Sequence, residues 1–179
     1  MKARIPGREK KVSAENRDLI RTLIRNVSHQ TLIEVFEFGP KGRHGKPGRL
    51  QRFYDGVNKR LQKYDTLYGD DSAEKIKAIR ERCISKQIDY GQRKGSGSKV
   101  KLANEHDIIM CIALLTLRED FWFGKKRLQR FFEGVEHRIL YYNDVFEGHP
   151  MDVLWVTENR LEQYGTEFIE TAIAPQNQK

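Results

Sequence analysis

Apolar residues recur at helical spacing through most of the 179-residue chain. Leu19, Ile20, Leu23, Ile24 and Val27 predict a first helix, with Ser13 as its cap. Leu32, Ile33, Val35 and Phe36 carry it on past a break expected near Ser28, until Phe38-Gly39 ends it. Leu50, Phe53, Tyr54, Val57, Leu61 and Tyr64 share one face of a second helix. Ile76, Ile79, Cys83 and Ile84 mark a third over 73–89, capped by Ser72 and stopped at Tyr90-Gly91. The pattern then returns. Asn104 is the expected cap of a helix apolar from 108 to 117, closed by Phe121-Trp-Phe-Gly124 as Phe36-Glu-Phe-Gly39 closes the first. Leu128, Phe131, Phe132, Val135, Ile139 and Tyr142 repeat the face of the second helix. A last helix has Pro150 in its first turn, Val153, Leu154 and Leu161 inward, and Tyr164-Gly165 as its stop. No stretch alternates at period two over the length of a strand, so the fold class is all-α.

The return is also literal. Arg49-Leu-Gln-Arg-Phe-Tyr-Asp-Gly-Val-Asn-Lys-Arg60 comes back 78 residues later as Arg127-Leu-Gln-Arg-Phe-Phe-Glu-Gly-Val-Glu-His-Arg138, with eight of twelve positions identical. This predicts two tandem related helical repeats, each a helix, an aromatic-x-Phe-Gly turn, an amphipathic basic helix and a further helix. Residues 13–90 would form the first and 104–174 the second, joined by a flexible linker over 91–103, with a basic tail at 1–12 and a short tail at 175–179. Gly56 and Gly134 stand in mid-helix, where glycine costs about 1 kcal/mol relative to alanine. Their recurrence implies a close approach to the backbone by a crossing helix, a phosphate backbone or a partner chain. The first repeat carries an insertion, Pro40-Lys-Gly-Arg-His-Gly-Lys-Pro-Gly48, read as a flexible basic loop; the second has only Lys125-Lys126 there.

Charge divides the two halves. Residues 1–90 hold 21 Lys/Arg against 12 Asp/Glu, residues 91–103 hold 4 against none, and residues 104–179 hold 8 against 13, within a net charge of +8. A basic first half suggests an anionic partner, and an acidic second half suggests another task. Cys83 and Cys111 have no CxxC partner, which points to a reducing, cytoplasmic setting, and no apolar run approaches the roughly 20 residues of a membrane span. The five histidines form no HxxxH or HExxH pair, and no phosphate-binding loop or nucleophile elbow occurs, so no metal or cofactor is expected. Glu34, Glu37 or the Asp70-Asp71 pair would be the carboxylates of a Mg²⁺-dependent nuclease, the enzymatic alternative.

The positive signal is for binding. Arg49, Arg52, Lys59, Arg60 and Lys63 make a basic stripe beside the apolar face of the second helix. Lys41, Arg43 and Lys46 in the inserted loop precede it, and Arg93, Lys94, Lys99 and Lys101 in the linker follow. Lys125, Lys126, Arg127 and Arg130 stand at the matching place in the second repeat. Such a surface neutralises phosphates, and its arginines suit bidentate contact. The alternative is a solvated flank of a core helix.

The run Phe121-Trp-Phe-Gly-Lys-Lys-Arg-Leu-Gln-Arg-Phe-Phe-Glu-Gly-Val135 resembles a signature of small phage and prophage proteins of Gram-positive bacteria. The resemblance covers about residues 104–145 well and the first repeat less well. In size and two-part build the chain is also similar to phage inhibitors of type II CRISPR nucleases. The resemblance implies a non-enzymatic anti-defence protein that acts on DNA, RNA or a ribonucleoprotein such as a Cas9-guide RNA complex. A dimeric DNA-binding transcriptional or replication accessory is the alternative from another class.

Overall fold

The computed structural model describes residues 14–90, 98–146 and 149–165. Among the described residues there are six α-helices and no strand: α1 (Ala14–Phe36), α2 (Arg49–Tyr68), α3 (Ser72–Ser85), α4 (Ser98–Asp120), α5 (Lys125–Val145) and α6 (Pro150–Gln163). None of these helices is long and apolar enough to cross a membrane.

The central pair is α1 and α4. Every residue of α4 from 107 to 117 is buried, which requires neighbours on all sides. It packs on α1, α2, α3 and α5, while α1 packs on α4, α5 and α6 and only touches α2. The helices therefore do not form two consecutive three-helix lobes. The first helix of each half packs chiefly on the second and third helices of the other half, giving the sets α4–α2–α3 and α1–α5–α6.

The contacts recur at the spacings of the repeated sequence. Arg60 on α2 donates to Glu119 of α4 at 2.8 Å, and Arg82 on α3 donates to the same carboxylate at 2.7 Å. In the other set, Arg138 on α5 donates to Glu34 of α1, which Arg160 and the Tyr164 hydroxyl also approach, at 3.6 and 2.7 Å. Partial burial alone would raise both glutamates; the arginine hydrogen bonds overcome it and hold each carboxyl below its ordinary range.

The mid-helix glycines mark the crossing points. Arg60 and Arg138 each reach back to the carbonyl of Gly56 or Gly134 at 3.1 Å. A Cβ on Gly56 would lie 2.7 Å from Asp120 Oδ2 and 2.8 Å from Thr116 Cγ2, and one on Gly134 would lie 2.8 Å from Thr31 Cγ2. Both threonines are held by hydroxyl bonds to the carbonyl four residues back, at 2.8 and 2.9 Å, so neither methyl can swing aside freely. Of the partners expected for these glycines, the structure shows the crossing helix.

At one end of the α1–α4 pair, four phenylalanines meet. Phe36 packs on Phe123 at 5.0 Å between centroids, Phe38 on Phe121 at 5.1 Å, and Phe38 on Phe123 at 6.1 Å. The turns that deliver them are alike: the amide of Phe38 donates to the Leu32 carbonyl and that of Phe123 to the Leu117 carbonyl, both at 3.0 Å. The residues between the rings, Glu37 and Trp122, have φ of 55° and 59°.

Several boundaries differ from the sequence reading. α1 runs unbroken through Ser28. α4 starts at Ser98, inside the segment expected as linker, so Asn104 lies buried within the helix and is not its cap. Asp71, not Ser72, caps α3 by accepting from the amides of Ala73 and Glu74, because its carboxylate reaches both first-turn donors. α3 ends at Ser85, with Gln87 at φ 59°, short of the expected stop at Tyr90. The inserted loop is tied rather than loose: Gly42 donates to the Lys46 carbonyl at 3.1 Å, and Lys41 bridges to Pro47. Ser13 and the tails lie outside the described residues.

Gly56→Ala and Gly134→Ala are expected to lower unfolding stability by about 1–3 kcal/mol through overpacking, despite alanine's better helix propensity. Thr116→Ser and Thr31→Ser, which remove the opposing methyls, should recover much of the loss in the respective double variants. Chemical denaturation of the single and double variants measures both effects. Equal losses in single and double variants would remove the crossing contact as the cause.

Candidate nucleic-acid interface

The helices that follow the aromatic turns start with glycine and then cations. Gly48 precedes α2 and Gly124 precedes α5, neither helix has a side-chain cap, and neither has an acid in its first turn. The positive ends of both helices are thus left to arginine and lysine, an arrangement that favours an anion from outside.

Each of four arginines lies over a ring of the phenylalanine cluster. The Arg49 guanidinium sits 4.5 Å from the Phe38 centroid and that of Arg127 3.8 Å from Phe123. Arg52 lies 5.4 Å from Phe121, and Arg130 lies 5.7 Å from Phe36. All four are exposed. The ion pairs among the described residues engage Arg17, Arg21, Arg60, Arg80, Arg82, Arg138 and Arg160, and none includes these four. A stacked guanidinium keeps its charge and its donor edges available, which suits phosphate contact.

The expected site residues divide accordingly. Arg49, Arg52, Arg127 and Arg130 come together, with exposed Lys125 and Lys126 in the first turn of α5. Lys41, Arg43 and Lys46 are exposed on the tied loop that leads into α2. Lys59 and Lys63 are exposed farther along α2, roughly 15–20 Å from Arg49 at helical rise. Arg60 does not belong to the surface stripe. Its guanidinium is half-buried and bound to Glu119 and to both oxygens of Asp120, at 2.8 Å each. Arg93 and Lys94 lie outside the described residues, and of Lys99 and Lys101 only the helical backbone is described.

Sequence reasoning missed Trp122. It is 85% exposed, the most exposed large apolar residue of those described, and holds a left-handed backbone conformation beside the arginine cluster. A non-glycine residue there is held at a cost of about 1 kcal/mol or more. The signal was in the motif: the position between the rings is Glu37 in one turn and tryptophan in the other. An exposed indole beside guanidinium groups is a platform on which a base can stack.

Three of the four carboxylates named for a nuclease have other engagements, and Glu37 is exposed in the first aromatic turn. Glu34 is held by Arg138, Arg160 and Tyr164, Asp70 pairs with Arg17 at 2.6 Å, and Asp71 caps α3. No group of three or more His, Cys, Asp or Glu among the described residues is placed to hold a metal ion. His106 lies between Asp107 and Glu136, at 3.2 and 3.3 Å. Burial alone would lower its pKa, but hydrogen bonds to both carboxylates raise it to about 9, and the Tyr90 hydroxyl closes the cluster on Asp107 at 3.1 Å.

Comparison with protein-family models, with curated proteins and with solved structures finds no match to this chain.

Two outcomes are expected. Since the folded pKa of His106 lies above its ordinary 6.5, its stabilising contribution is complete below pH 6.5 and lost as pH rises through about 9. Melting temperatures of the parent and His106→Gln should therefore differ at pH 6 and converge by pH 10. Trp122→Gly should raise stability by about 1 kcal/mol by removing the left-handed strain, as thermal melting reads directly.

Proposed function

We propose that the chain is a non-enzymatic protein that binds nucleic acid, free or within a ribonucleoprotein, through the arginine-aromatic end of the α1–α4 pair. One observation carries the reading: Arg49, Arg52, Arg127 and Arg130 stack on phenylalanines without a carboxylate, while the arginines elsewhere in the described helices are largely held in ion pairs. Trp122 supplies stacking, and Lys41, Arg43, Lys46, Lys125 and Lys126 extend the field. In this reading the unit was doubled, and its matched halves offer two equivalent sets of phosphate contacts. The resemblance of residues 121–135 to phage and prophage proteins favours an anti-defence role, with a Cas9-type nuclease loaded with guide RNA as the effector. The exposed Leu140, Tyr141 and Val145 on α5 with Met151 and Trp155 on α6 would then face protein.

Duplex DNA is the second reading, favoured by the same pairing of contacts. Two related halves of one chain can address two half-sites as a dimer does.

The test is fluorescence anisotropy with single-stranded RNA, a guide-RNA-loaded nuclease and duplex DNA over a salt series. Replacing Arg49, Arg52, Arg127 and Arg130 by glutamine should weaken binding at least tenfold and reduce the salt slope by about one per lost phosphate contact. Lys59→Gln with Lys63→Gln should change both much less. Trp122→Gly should weaken single-strand binding by about 1–3 kcal/mol and leave duplex binding near the parent's. Unaltered affinity in the quadruple variant would remove the interface, and Mg²⁺-dependent cleavage of the probe would overturn the non-enzymatic reading.

A further inference from the structure

A cleft of about 620 Å³ opens between α1, α2 and α4. Its lining mixes apolar side chains such as Phe53, Tyr54, Val57 and Leu61 with polar ones such as Asn58, Gln62 and Thr66. Ser28 and His29 also line it, both about 98–99% buried, and among the described residues Ser28 Oγ and His29 Nδ1 have no hydrogen-bond partner. Leaving such atoms unpaired costs about 1–3 kcal/mol each. The residues 85 positions on, at the corresponding places of α4, are Ala113 and Leu114, which carry no such atoms. The helix thus has an apolar solution to this packing and departs from it only in α1.

The corresponding groove of the other set shows what fits. There the ring of Tyr90 stands edge-on to Phe132, 5.5 Å between centroids and 85° between planes, and its hydroxyl donates to Asp107 at 3.1 Å. Phe132 corresponds to Tyr54, and His106 and Asp107 correspond to Arg21 and Thr22. An aromatic ring with a polar tip fills one groove, and the matching groove is the cleft lined by Tyr54.

In the filled groove Asp107 is buried against Arg80 at 2.9 Å. The lining of the cleft includes Arg21 and Arg25. Arg21 is bound to Asp65 and Glu105. Arg25 lies 5.9 Å above the Tyr54 ring and donates to the neutral Asn26 side chain. Asp65, the acid lining the cleft, is taken up by Arg21 and Lys75.

We propose that this cleft binds a small aromatic carboxylate carrying a second polar group, its ring against Tyr54, its carboxylate on Arg25 and its second group on Ser28 Oγ and His29 Nδ1. The volume suits a ligand of one or two rings. Burial next to Arg25 holds His29 neutral, its pKa lowered to about 3, so Nδ1 can accept or donate one hydrogen bond. The site is separate from the arginine-aromatic end, and its failure would leave that interface standing.

Calorimetric titration with 6-hydroxy-2-naphthoate, 2-naphthoate and 2-naphthylmethanol tests this. The hydroxy-acid should bind most tightly. Arg25→Gln should weaken both acids about tenfold or more and leave the alcohol unchanged. The double variant Ser28→Ala/His29→Leu, which installs the pair found in α4, should fold with a raised melting temperature and erase the advantage of the hydroxy-acid over 2-naphthoate. Phe168 stands 78 residues beyond Tyr90 and outside the described residues, so Phe168→Ala is titrated in parallel. Binding that appears only in Phe168→Ala would assign the cleft to the chain's own ring and overturn the proposal. Absence of binding in both proteins, or equal binding in the Arg25 and Ser28/His29 variants, would overturn it as well.

Discussion

The packing of four phenylalanines at the end of the α1–α4 pair governs the position of most else in the molecule. Phe36 and Phe38 leave α1, and Phe121 and Phe123 leave α4, so the contacts between them fix how the two long helices end against each other. Such ring pairs contribute roughly 0.5–1.5 kcal/mol each beyond burial. Their larger effect is geometric. Because α2 and α5 start just beyond the two turns, the cluster also places both helix starts, and with them Arg49, Arg52, Arg127 and Arg130. The rings serve as core on one side and as seats for guanidinium groups on the other.

The glutamate nodes take over where the cluster ends. Glu119 gathers Arg60 and Arg82 from α2 and α3, and Glu34 gathers Arg138 and Arg160 from α5 and α6. Each node ties a long helix to two helices from the other half of the chain. Half-buried pairs of this kind stabilise modestly, but losing one partner strands a charge, which penalises any packing of α1 or α4 that misses the node. The glycine crossings add a steric condition, since only a residue without a side chain lets Thr31 or Thr116 approach so closely. Register is therefore set by charge and shape together.

This explains which parts of the fold were legible. Apolar faces such as Leu50, Phe53, Tyr54 and Val57 are local patterns, and all four are buried. The turn stops at Phe38-Gly39 and Tyr164-Gly165 are likewise local, the latter with Gly165 at φ 71°. The exchange of α1 and α4 between halves is not local, and no periodicity encodes it. Arg52 and Arg60 lie on one stripe of α2 by helical arithmetic, yet one stacks on a ring at the surface and the other is drawn into a carboxylate of α4. Only the neighbouring helix separates them. The start of α4 was hidden because Ser98-Lys-Val-Lys-Leu102 directly continues the glycine, serine and lysine run before it and reads as linker until the helix behind it is known.

The two halves differ most where symmetry would be easiest to keep. At the phenylalanine cluster the arginines correspond pair for pair, Arg49 with Arg127 and Arg52 with Arg130. About two turns of helix inward, the halves part: Leu114 and Ala113 in α4 are matched by His29 and Ser28 in α1, and the groove closed by Tyr90 in one set is matched by a cleft in the other. Core positions resist such a change, because an unpaired imidazole nitrogen and hydroxyl both lower stability. Ser28 and His29 both line the cleft between α1, α2 and α4. A matched exterior end and an unmatched interior cleft are thus two independent departures from a plain helical scaffold, one made by cations without carboxylates and the other by polar atoms without partners.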